Sequence, residues 1–384
     1  MKKSSSKVKS YVTSTSGNVS TIFLERALQF LKPGGRLGII LPETYFHAIR
    51  QRRVLDFIFK GNNVQYVIDL PQNTFRPYNN AKCIVLIMQK GVEQQEYIDM
   101  AVAEEIGHDH QGKPLYRFDE HKKATNFLWD DIDCIMKEID EEPITRKYTF
   151  QVNAQKVIDK HILVPRYYWN NRIAEIKEQA KKNGFTLVTL GTLLKNKVIR
   201  NFDGNGSPKS QFKGLGEIQY VRVKDIVNWQ VYTDVTSLIP EEEFVRLYKI
   251  EKQLSPYDVL FVRRGSYRIG SVAVVSPYNL KCILTREILV LRVIDLNNKY
   301  GITPEYLLYA LSHALTFENA KNKIFIDTTL PNIADRWKEI LIPVCIDKEK
   351  LDFITKKVHS IISSQWDALK QIEEMKKDND VYSV

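Results

Sequence analysis

Three short apolar runs near the start restrict the fold more than any other feature of the chain. Arg36–Leu41 (RLGIIL), Val64–Leu70 (VQYVIDL) and Ile84–Gln89 (IVLIMQ) have strand length and are separated by helical or turn-forming stretches. Before them, Ser20–Leu31 sets Ile22, Phe23, Ala27, Leu28 and Leu31 at helical spacing, with Ser20 or Thr21 as cap and Lys32-Pro33-Gly34-Gly35 as stop. A second helix is predicted around Arg50–Phe59. Strands alternating with helices predict an α/β layered domain. Because Arg36–Leu41 is apolar without alternation, it is expected to lie buried on both faces of a mainly parallel sheet.

A different pattern marks the second half. In Leu254–Val275 (LSPYDVLFVRRGSYRIGSVAVV) two apolar runs, Val259–Val262 and Ser271–Val275, flank a turn with Arg263, Arg264, Tyr267 and Arg268. That is a β-hairpin with a cationic tip. Arginine forks suit phosphate oxygens or the O6/N7 edge of guanine, and the tyrosine can pack on a sugar or base. The plainer alternative is a solvated hairpin tip. The formal net charge of +10 and pI near 9.1 favour a polyanionic partner without naming it.

The chain's 384 residues suffice for two domains with sizeable cores. Cys83, Cys134, Cys282 and Cys345 form no CxxC pair, which argues against a zinc site or disulfide framework and fits a reducing cytoplasm. His108, Asp109 and His110 look ligand-like but have no further His or Cys at metal spacing, so no metal is expected. No apolar run reaches the roughly 18 residues of a membrane span. The opening MKKSSSKVKSYV is basic with no apolar stretch behind it, and reads as an arm rather than a secretory signal.

The segments FLERALQFLKPGGRLGIILPETYF, VIDLPQNTFRPYNNAKCIVLIMQKG and EEIGHDHQG, in this order, resemble the C-terminal half of N6-adenine DNA methyltransferases, especially modification subunits of type I restriction–modification systems. The resemblance implies that the LP…TF…P segment borders the pocket for a flipped adenine, with Phe75 at or near the aromatic that stacks on the base. As an alternative, Phe75 is a core aromatic at a strand end. The chain also departs from that family. It has no Pro-Pro dipeptide and therefore no Asn/Asp-Pro-Pro-Tyr/Phe tetrapeptide, and nothing before Ser20 could form the cofactor strands. Gly34-Gly35 follows a helix and precedes a strand, the reverse of a phosphate-binding turn. The expectation is a chain that binds no cofactor alone, with S-adenosylmethionine used only in a complex with a chain or segment carrying the missing half.

Pro165–Lys182 is predicted as one helix with Tyr168, Ile173, Ile176 and Ala180 on a face, stopped by Gly184. Beyond it, Ile218–Ile226 (IQYVRVKDI) reads as a half-buried strand turning Arg222 and Lys224 outward, after a polar loop Arg200–Gly216 that holds Lys209 and Lys213. FTLVTL, IQYVRVKDI, LSPYDVLFVRRGSYRIG, PEYLLYALSHAL, TTLPNIADRWKEILIPV and a long final helix resemble, in order, a target-recognition domain of type I specificity subunits. The resemblance implies a sheet and loops along the major groove of double-stranded DNA. The residues expected to contact it are Lys209, Lys213, Arg222, Lys224, Arg263, Arg264, Tyr267 and Arg268. In the final helix, Leu351, Ile354, Val358, Ile361, Ile362, Leu369 and Ile372 form a near-heptad stripe. It is expected to pack on the Pro165–Lys182 helix or on a partner chain through residues 347–376.

The expected fold is α/β, with a partial doubly wound methyltransferase sheet in residues 1–147 and a helical connector in 148–183. An α+β target-recognition domain in 184–346 and a long helix with a polar tail in 347–384 complete it. The expected function is sequence-specific DNA recognition within an adenine-N6 methylation or restriction–modification system. The alternative is a non-catalytic DNA-binding or assembly protein that keeps the methyltransferase remnant as scaffold.

Overall fold

A computed structural model describes residues 19–141, 146–265, 267–326 and 330–377. The MKKSSSKVKSYV arm, Ser266 of the hairpin tip and the polar tail from residue 378 lie outside the described residues. The chain divides into two units: Met1–Asn171 with Phe325–Thr329, and Arg172–Ile324 with Leu330–Val384.

The first unit is built on a five-stranded sheet of mixed orientation. Its strands are β1 (Arg36–Pro42), β2 (Asn62–Asp69), β3 (Cys83–Lys90), β4 (Tyr97–Val102) and, after the two-stranded ribbon β5 (Tyr116–Phe118) and β6 (Ala124–Leu128), β7 (Thr149–Asn153). The order is β1-β3-β2-β4-β7. Helices α1 (Val19–Phe30) and α2 (Arg52–Phe59) bury Leu24, Leu28, Val54, Leu55 and Ile58 against Val64, Val67, Ile84, Leu86 and Met88. Val54, Leu55 and Ile58 stand at i, i+1 and i+4, the spacing of one buried helical face. Phe325 joins the same core and sits 4.6 Å from the His47 ring, centroid to centroid.

β1 corrects the reading of Arg36–Leu41. It is an edge strand paired antiparallel to β3 from Arg36↔Gln89 to Pro42↔Cys83, and only β2 and β4 run parallel. Ile39 and Leu41 are buried while Gly38 and Ile40 are exposed, so one face points to solvent. Apolar continuity cannot separate a strand buried twice from an edge strand with an aliphatic outer face. Among the described residues, no strand pairs with the outer edge of β1.

An ionic cluster lies where β1 and β2 end and β3 begins. Glu43 and Asp69 are fully buried, and Lys82 Nζ reaches Glu43 Oε2 at 2.8 Å and also bonds Asp69. Arg166 Nε stands 3.7 Å from Asp69, and the Ile326 amide donates to Glu43 Oε1 at 2.8 Å. Burial raises the Glu43 carboxyl above its ordinary value, against the lowering pull of Lys82. Burial alone would lower Lys82, but Asp69 and Glu43 outweigh it and raise it.

Helix α3 (Ile132–Glu141) anchors the chain where it enters β7. The Glu138 carboxylate accepts the amides of Lys147 (2.9 Å), Tyr148 (3.1 Å) and Thr149 (2.9 Å) and the Thr149 hydroxyl (2.9 Å). Partial burial acts to raise its pKa, but these bonds prevail and hold it below the usual carboxylate range. A depressed carboxylate stabilises above its unfolded value, about 4.3, and that contribution is lost as pH falls through the folded value. Glu138→Ala should therefore cost roughly 2 kcal/mol at pH 7 and much less at pH 3, by chemical unfolding of both proteins. An equal cost at both pH values would show that the carboxylate charge plays no part.

Two more helices close the unit, α4 (Ala154–Lys160) and α5 (Pro165–Tyr168). The predicted Pro165–Lys182 helix is broken at Trp169-Asn170, and α6 (Asn171–Lys182) starts afresh. Tyr168 belongs to the first core, whereas Ile176 and Ala180 pack in the core of the second unit. Periodicity alone joined residues that serve different cores.

In the second unit, β8 (Phe185–Thr189) is followed by α7 (Leu190–Lys195), β9 (Ile199–Asp203) and β10 (Gln219–Val221). Next come β11 (Ile226–Val227), β12 (Gln230–Val231), α8 (Glu241–Leu247) and the hairpin β13 (Val259–Val262) with β14 (Val272–Val274). β15 (Cys282–Leu284), β16 (Ile288–Val293), α9 (Pro304–Ser312), α10 (Ala314–Lys321), β17 (Leu341–Cys345) and α11 (Lys348–Lys377) complete it. A four-stranded sheet runs β14-β13-β16-β9, with β10 parallel to β15 and β17 antiparallel to β8. The hairpin forms as read, in register Val259↔Val274 to Phe261↔Val272. Arg200–Asp203, assigned to a loop, is β9, antiparallel to β16.

α11 packs against α9 and β17 of its own unit. Leu351, Ile354, Val358 and Ile362 enter that core with Trp366, which meets the Tyr257 ring at 4.8 Å. Four of the seven stripe residues thus enter the core of the second unit, which Ile176 and Ala180 of α6 also join. Ile361 and Ile372 remain exposed.

Candidate nucleic-acid interface

The β13–β14 tip is held from below by backbone bonds. The Arg263 amide donates to Glu287 O at 3.0 Å, Gly265 N to Pro331 O at 3.1 Å, and Ile333 N to Arg263 O at 2.9 Å. Gly265 (φ +112°) takes a backbone conformation that most side chains avoid. The tip thereby presents Tyr267, 89% exposed, and Arg264, also exposed. Arg222, Lys224, Tyr267 and Arg268 then line one cleft of about 380 Å³ with Thr285 and Glu287. Four of the eight residues picked from sequence meet there.

Their charges are not equally available. Ile218–Ile226 is not one strand: after β10 the chain makes a tight 3-10 turn at Val223–Asp225, and Arg222 N and Nε both donate to Asp225 Oδ2, at 2.8 and 3.2 Å. Arg222 also bonds Asp234, and Lys224 Nζ lies 2.8 Å from the same carboxylate. Lys224, then Thr236 and Arg222, hold Asp234 well below the usual carboxylate range. Two cations and two carboxylates cancel, so this corner offers little net charge to a phosphate. Arg263 Nη2 pairs with Asp203 at 2.9 Å. Arg268 Nη1 bonds Ile226 O at 3.4 Å, and its guanidinium lies 5.6 Å from the Tyr267 ring.

Arg264, Lys209 and Lys213 are exposed, and none forms an ion pair among the described residues. The backbone of the Lys209 loop is tied by its amide to Glu243 Oε1 at 2.7 Å, and Arg246 chiefly holds that carboxylate near 2. Lys213 Nζ sits 6.0 Å over the Tyr220 ring. Sequence reading missed Glu287, a carboxylate in a cationic cleft of the kind that can accept from a base amino group. Nothing in its own neighbourhood of the sequence marks it, since its position depends on the β15–β16 turn folding beneath the hairpin.

In the first unit, Phe75 occupies the turn after β2 and packs half-buried against Ile68, Leu70, Cys83, Ala101 and Ile135. The same turn leaves Tyr78 97% exposed. Asn73 Nδ2 fastens the turn to His108 O at 2.7 Å. His108, Asp109 and His110 form a closed turn in which Asp109 Oδ1 accepts the Gln111 and Lys113 amides at 2.7 and 2.9 Å. No cluster suited to a metal ion occurs among the described residues.

The Gly34-Gly35 turn does not fit S-adenosylmethionine. Gly34 N is spent on Lys90 O at 2.7 Å and Gly35 N on Lys32 O at 2.9 Å, leaving no free amides to cradle a ligand. The carboxylates near the ends of β1 and β2, Glu43 and Asp69, are consumed in the buried cluster. No helix among the described residues is long and apolar enough to cross a membrane.

No curated protein matches the chain. Among solved structures it is similar to the type IIG restriction endonuclease BpuSI, at 12% identity over 89% of this chain and 44% of that one, TM-score 0.35. It is also similar to the HsdS subunit from Thermoanaerobacter tengcongensis, at 17% identity over 67% of this chain and 59% of that one, TM-score 0.31. A type I restriction-modification system methyltransferase subunit from Streptococcus thermophilus matches at 17% identity over 39% and 30%, TM-score 0.29. The chain thus spans less than two thirds of each, and likenesses this remote carry no inference about activity. The firmer match is one of sequence family: residues 1–175, which include the whole five-stranded sheet, match the family model described as N-6 DNA Methylase.

Proposed function

We propose that this chain is the DNA-recognition polypeptide of an adenine-N6 methylation or restriction–modification system. It joins the C-terminal part of a methyltransferase domain to one target-recognition domain. The observation that carries this is the N-6 DNA Methylase match over residues 1–175, on a chain whose second unit gathers Arg222, Lys224, Tyr267 and Arg268 in one cleft. Arg264, Lys209 and Lys213 neutralise phosphates, while Tyr267, Arg268 and Glu287 face base edges. Arg222 and Lys224 shape the cleft wall, their charges being met by Asp225 and Asp234. Arg263 supports the tip through Asp203.

Methyl transfer from S-adenosylmethionine belongs to the assembled complex. A second chain or segment supplies the cofactor site and catalytic tetrapeptide, and the open edge of β1 is a place where its strand can pair. The exposed end of α11, with Ile361 and Ile372, is available for helix pairing within residues 347–376. Phe75 or its exposed neighbour Tyr78 stacks on the flipped adenine.

Selection of bound duplexes from a random-sequence pool, at low and physiological salt, tests the reading. Enrichment of a short half-site at physiological salt is the expected result. Binding without enrichment that vanishes as salt rises would leave charge attraction alone and sink sequence recognition by this chain. In a complemented complex, Phe75→Ala should keep duplex affinity and lower methylation by about tenfold or more, the range of a lost positioning contact. Normal methylation by that variant, with the loss appearing in Tyr78→Ala, would move the stacking role to Tyr78.

A further inference from the structure

The cleft under the β13–β14 tip contains one carboxylate that the pairing of its cations leaves over. Glu287 lines it with Arg222, Lys224 and Arg268, yet forms no ion pair among the described residues. Arg222 and Lys224 are met by Asp225 and Asp234, and Arg263 by Asp203. Removing Glu287 would therefore break no ion pair, and its charge stands against any phosphate that enters the cleft. A group that weakens general attraction to a polyanion can still supply selectivity between partners.

The carboxylate is also held in position. It belongs to the turn between β15 and β16, which is fixed from three sides. Thr285 N donates to Val221 O, Arg263 N to Glu287 O and Gly204 N to Ile288 O, each at 3.0 Å. A Cβ placed on Gly265 would lie 3.5 Å from Glu287 Cγ, so the tip closes on the stem of the side chain. Further out, the buried Thr285 hydroxyl donates to Glu287 Oε2. Oε1 accepts no hydrogen bond among the described residues. One oxygen is committed to orientation and the other is left as a single, fixed acceptor.

We infer that Glu287 is a specificity-determining residue that selects a C·G base pair, its Oε1 accepting from the cytosine N4 amino group in the major groove. The inference rests on the proposed function for the duplex itself, and adds which base pair the cleft takes. The four bases separate on their groove edges. Thymine offers O4, and guanine O6 and N7, all acceptors that a carboxylate repels. Adenine offers its N6 amino group, but the N7 acceptor beside it faces the same charge. Cytosine offers an amino group next to a C–H, with no lone pair to oppose the carboxylate. The guanine of that pair then turns O6 and N7 into the groove, the edge that an arginine fork suits, and Arg268 lines the same cleft.

The test puts the full chain, as wild type, Glu287→Gln and Glu287→Ala, through selection from a random duplex pool at physiological salt. Wild type should enrich a half-site that holds a fixed C·G pair. In Glu287→Gln one such position should change to A·T, because a glutamine amide pairs with adenine N6 and N7, while the other positions keep their bases. In Glu287→Ala that position alone should lose its preference. N4-methylcytosine there, whose methyl replaces the major-groove amino hydrogen, should weaken wild type by about tenfold and leave Glu287→Ala unaffected. If wild type enriches a half-site and both variants keep all of it, the inference fails and the proposed function stands. Loss of preference at every position together would also overturn the inference, since Glu287 would then shape the cleft without reading a base. If wild type enriches no half-site, sequence recognition by this chain fails, and the base assignment with it.

Discussion

Lys82→Met is expected to destabilise the first unit by about 3–5 kcal/mol, the cost of removing one partner from a buried ion pair. Lys82 is the cation that both Glu43 and Asp69 share, and both carboxylates are sealed from water. Arg166, at 3.7 Å from Asp69, can compensate only that side. Glu43 is then left with the Ile326 amide and the buried His47 ring, whose Nε2 stands 4.0 Å from its Oε1. The loss should depend on pH in a definite sense. Burial already raises the Glu43 carboxyl and Lys82 opposes that shift, so the variant raises it further. A raised carboxyl favours the fold below its unfolded value and loses that advantage as pH rises through the folded value. The variant should therefore recover stability from pH 7.5 to pH 5 relative to wild type, in chemical unfolding followed by circular dichroism. A gap that stays constant over that interval, or one under about 1 kcal/mol, would mean that the cluster is hydrated and behaves like a surface pair.

Gly204→Ala should damage the second unit and the duplex binding proposed for it together. A Cβ on Gly204 would meet Leu284 O at 2.7 Å and Thr285 O still more closely, and both are backbone atoms that no rotamer change can move aside. Gly204 N is bonded to Ile288 O at 3.0 Å and its carbonyl accepts Lys252 Nζ at 3.0 Å, so the glycine cannot back away without breaking both. The strand end and the Thr285–Glu287 turn must separate, at a cost near the upper end of overpacking, about 3 kcal/mol. That turn carries Thr285 and Glu287 of the cleft, so duplex affinity should fall although no charge has been removed. Gly38→Ala is the matched control: its Cβ would meet nothing within 4 Å, and stability should change little. Wild-type unfolding and duplex affinity in Gly204→Ala would show that the turn adjusts freely and does not set the shape of the cleft.

Local pattern found what local pattern determines. Helical spacing located α1 and α2, apolar runs located β1–β3, and two runs around an Arg/Gly turn located the β13–β14 hairpin. Strand direction was not legible, since Arg36–Leu41 has the same composition whether its neighbour runs parallel or antiparallel. The break at Trp169-Asn170 was hidden because Tyr168 and Ile176 fit one helical stripe while belonging to separate cores. At the candidate site, residue types were legible and their pairing was not. Arg222 and Lys224 read as outward cations of a strand, but the chain turns there and Asp234, ten residues past Lys224 in sequence, closes on both. The Glu43–Lys82–Asp69 cluster was invisible for the same reason, its members being brought together by strand pairing alone. The β5–β6 ribbon escaped because its strands are only three and five residues long, with Phe118 and Phe127 turned to solvent rather than into a core that would mark them.

The outer edge of β1 has a practical consequence for anyone who makes this protein. It is a seven-residue strand whose outer edge pairs with no strand among the described residues, with an aliphatic Ile40 that is 51% exposed and no charge between Arg36 and Pro42. Natural sheets guard such borders with lysine, proline or a bulge, and here those guards stand only at the two ends. Such an edge is a template on which two copies of the chain can pair. For the partner strand proposed to pair there, the edge is a timing problem as much as a structural one: producing the two polypeptides together should keep the protein dispersed, whereas mixing them after purification meets copies already paired with each other.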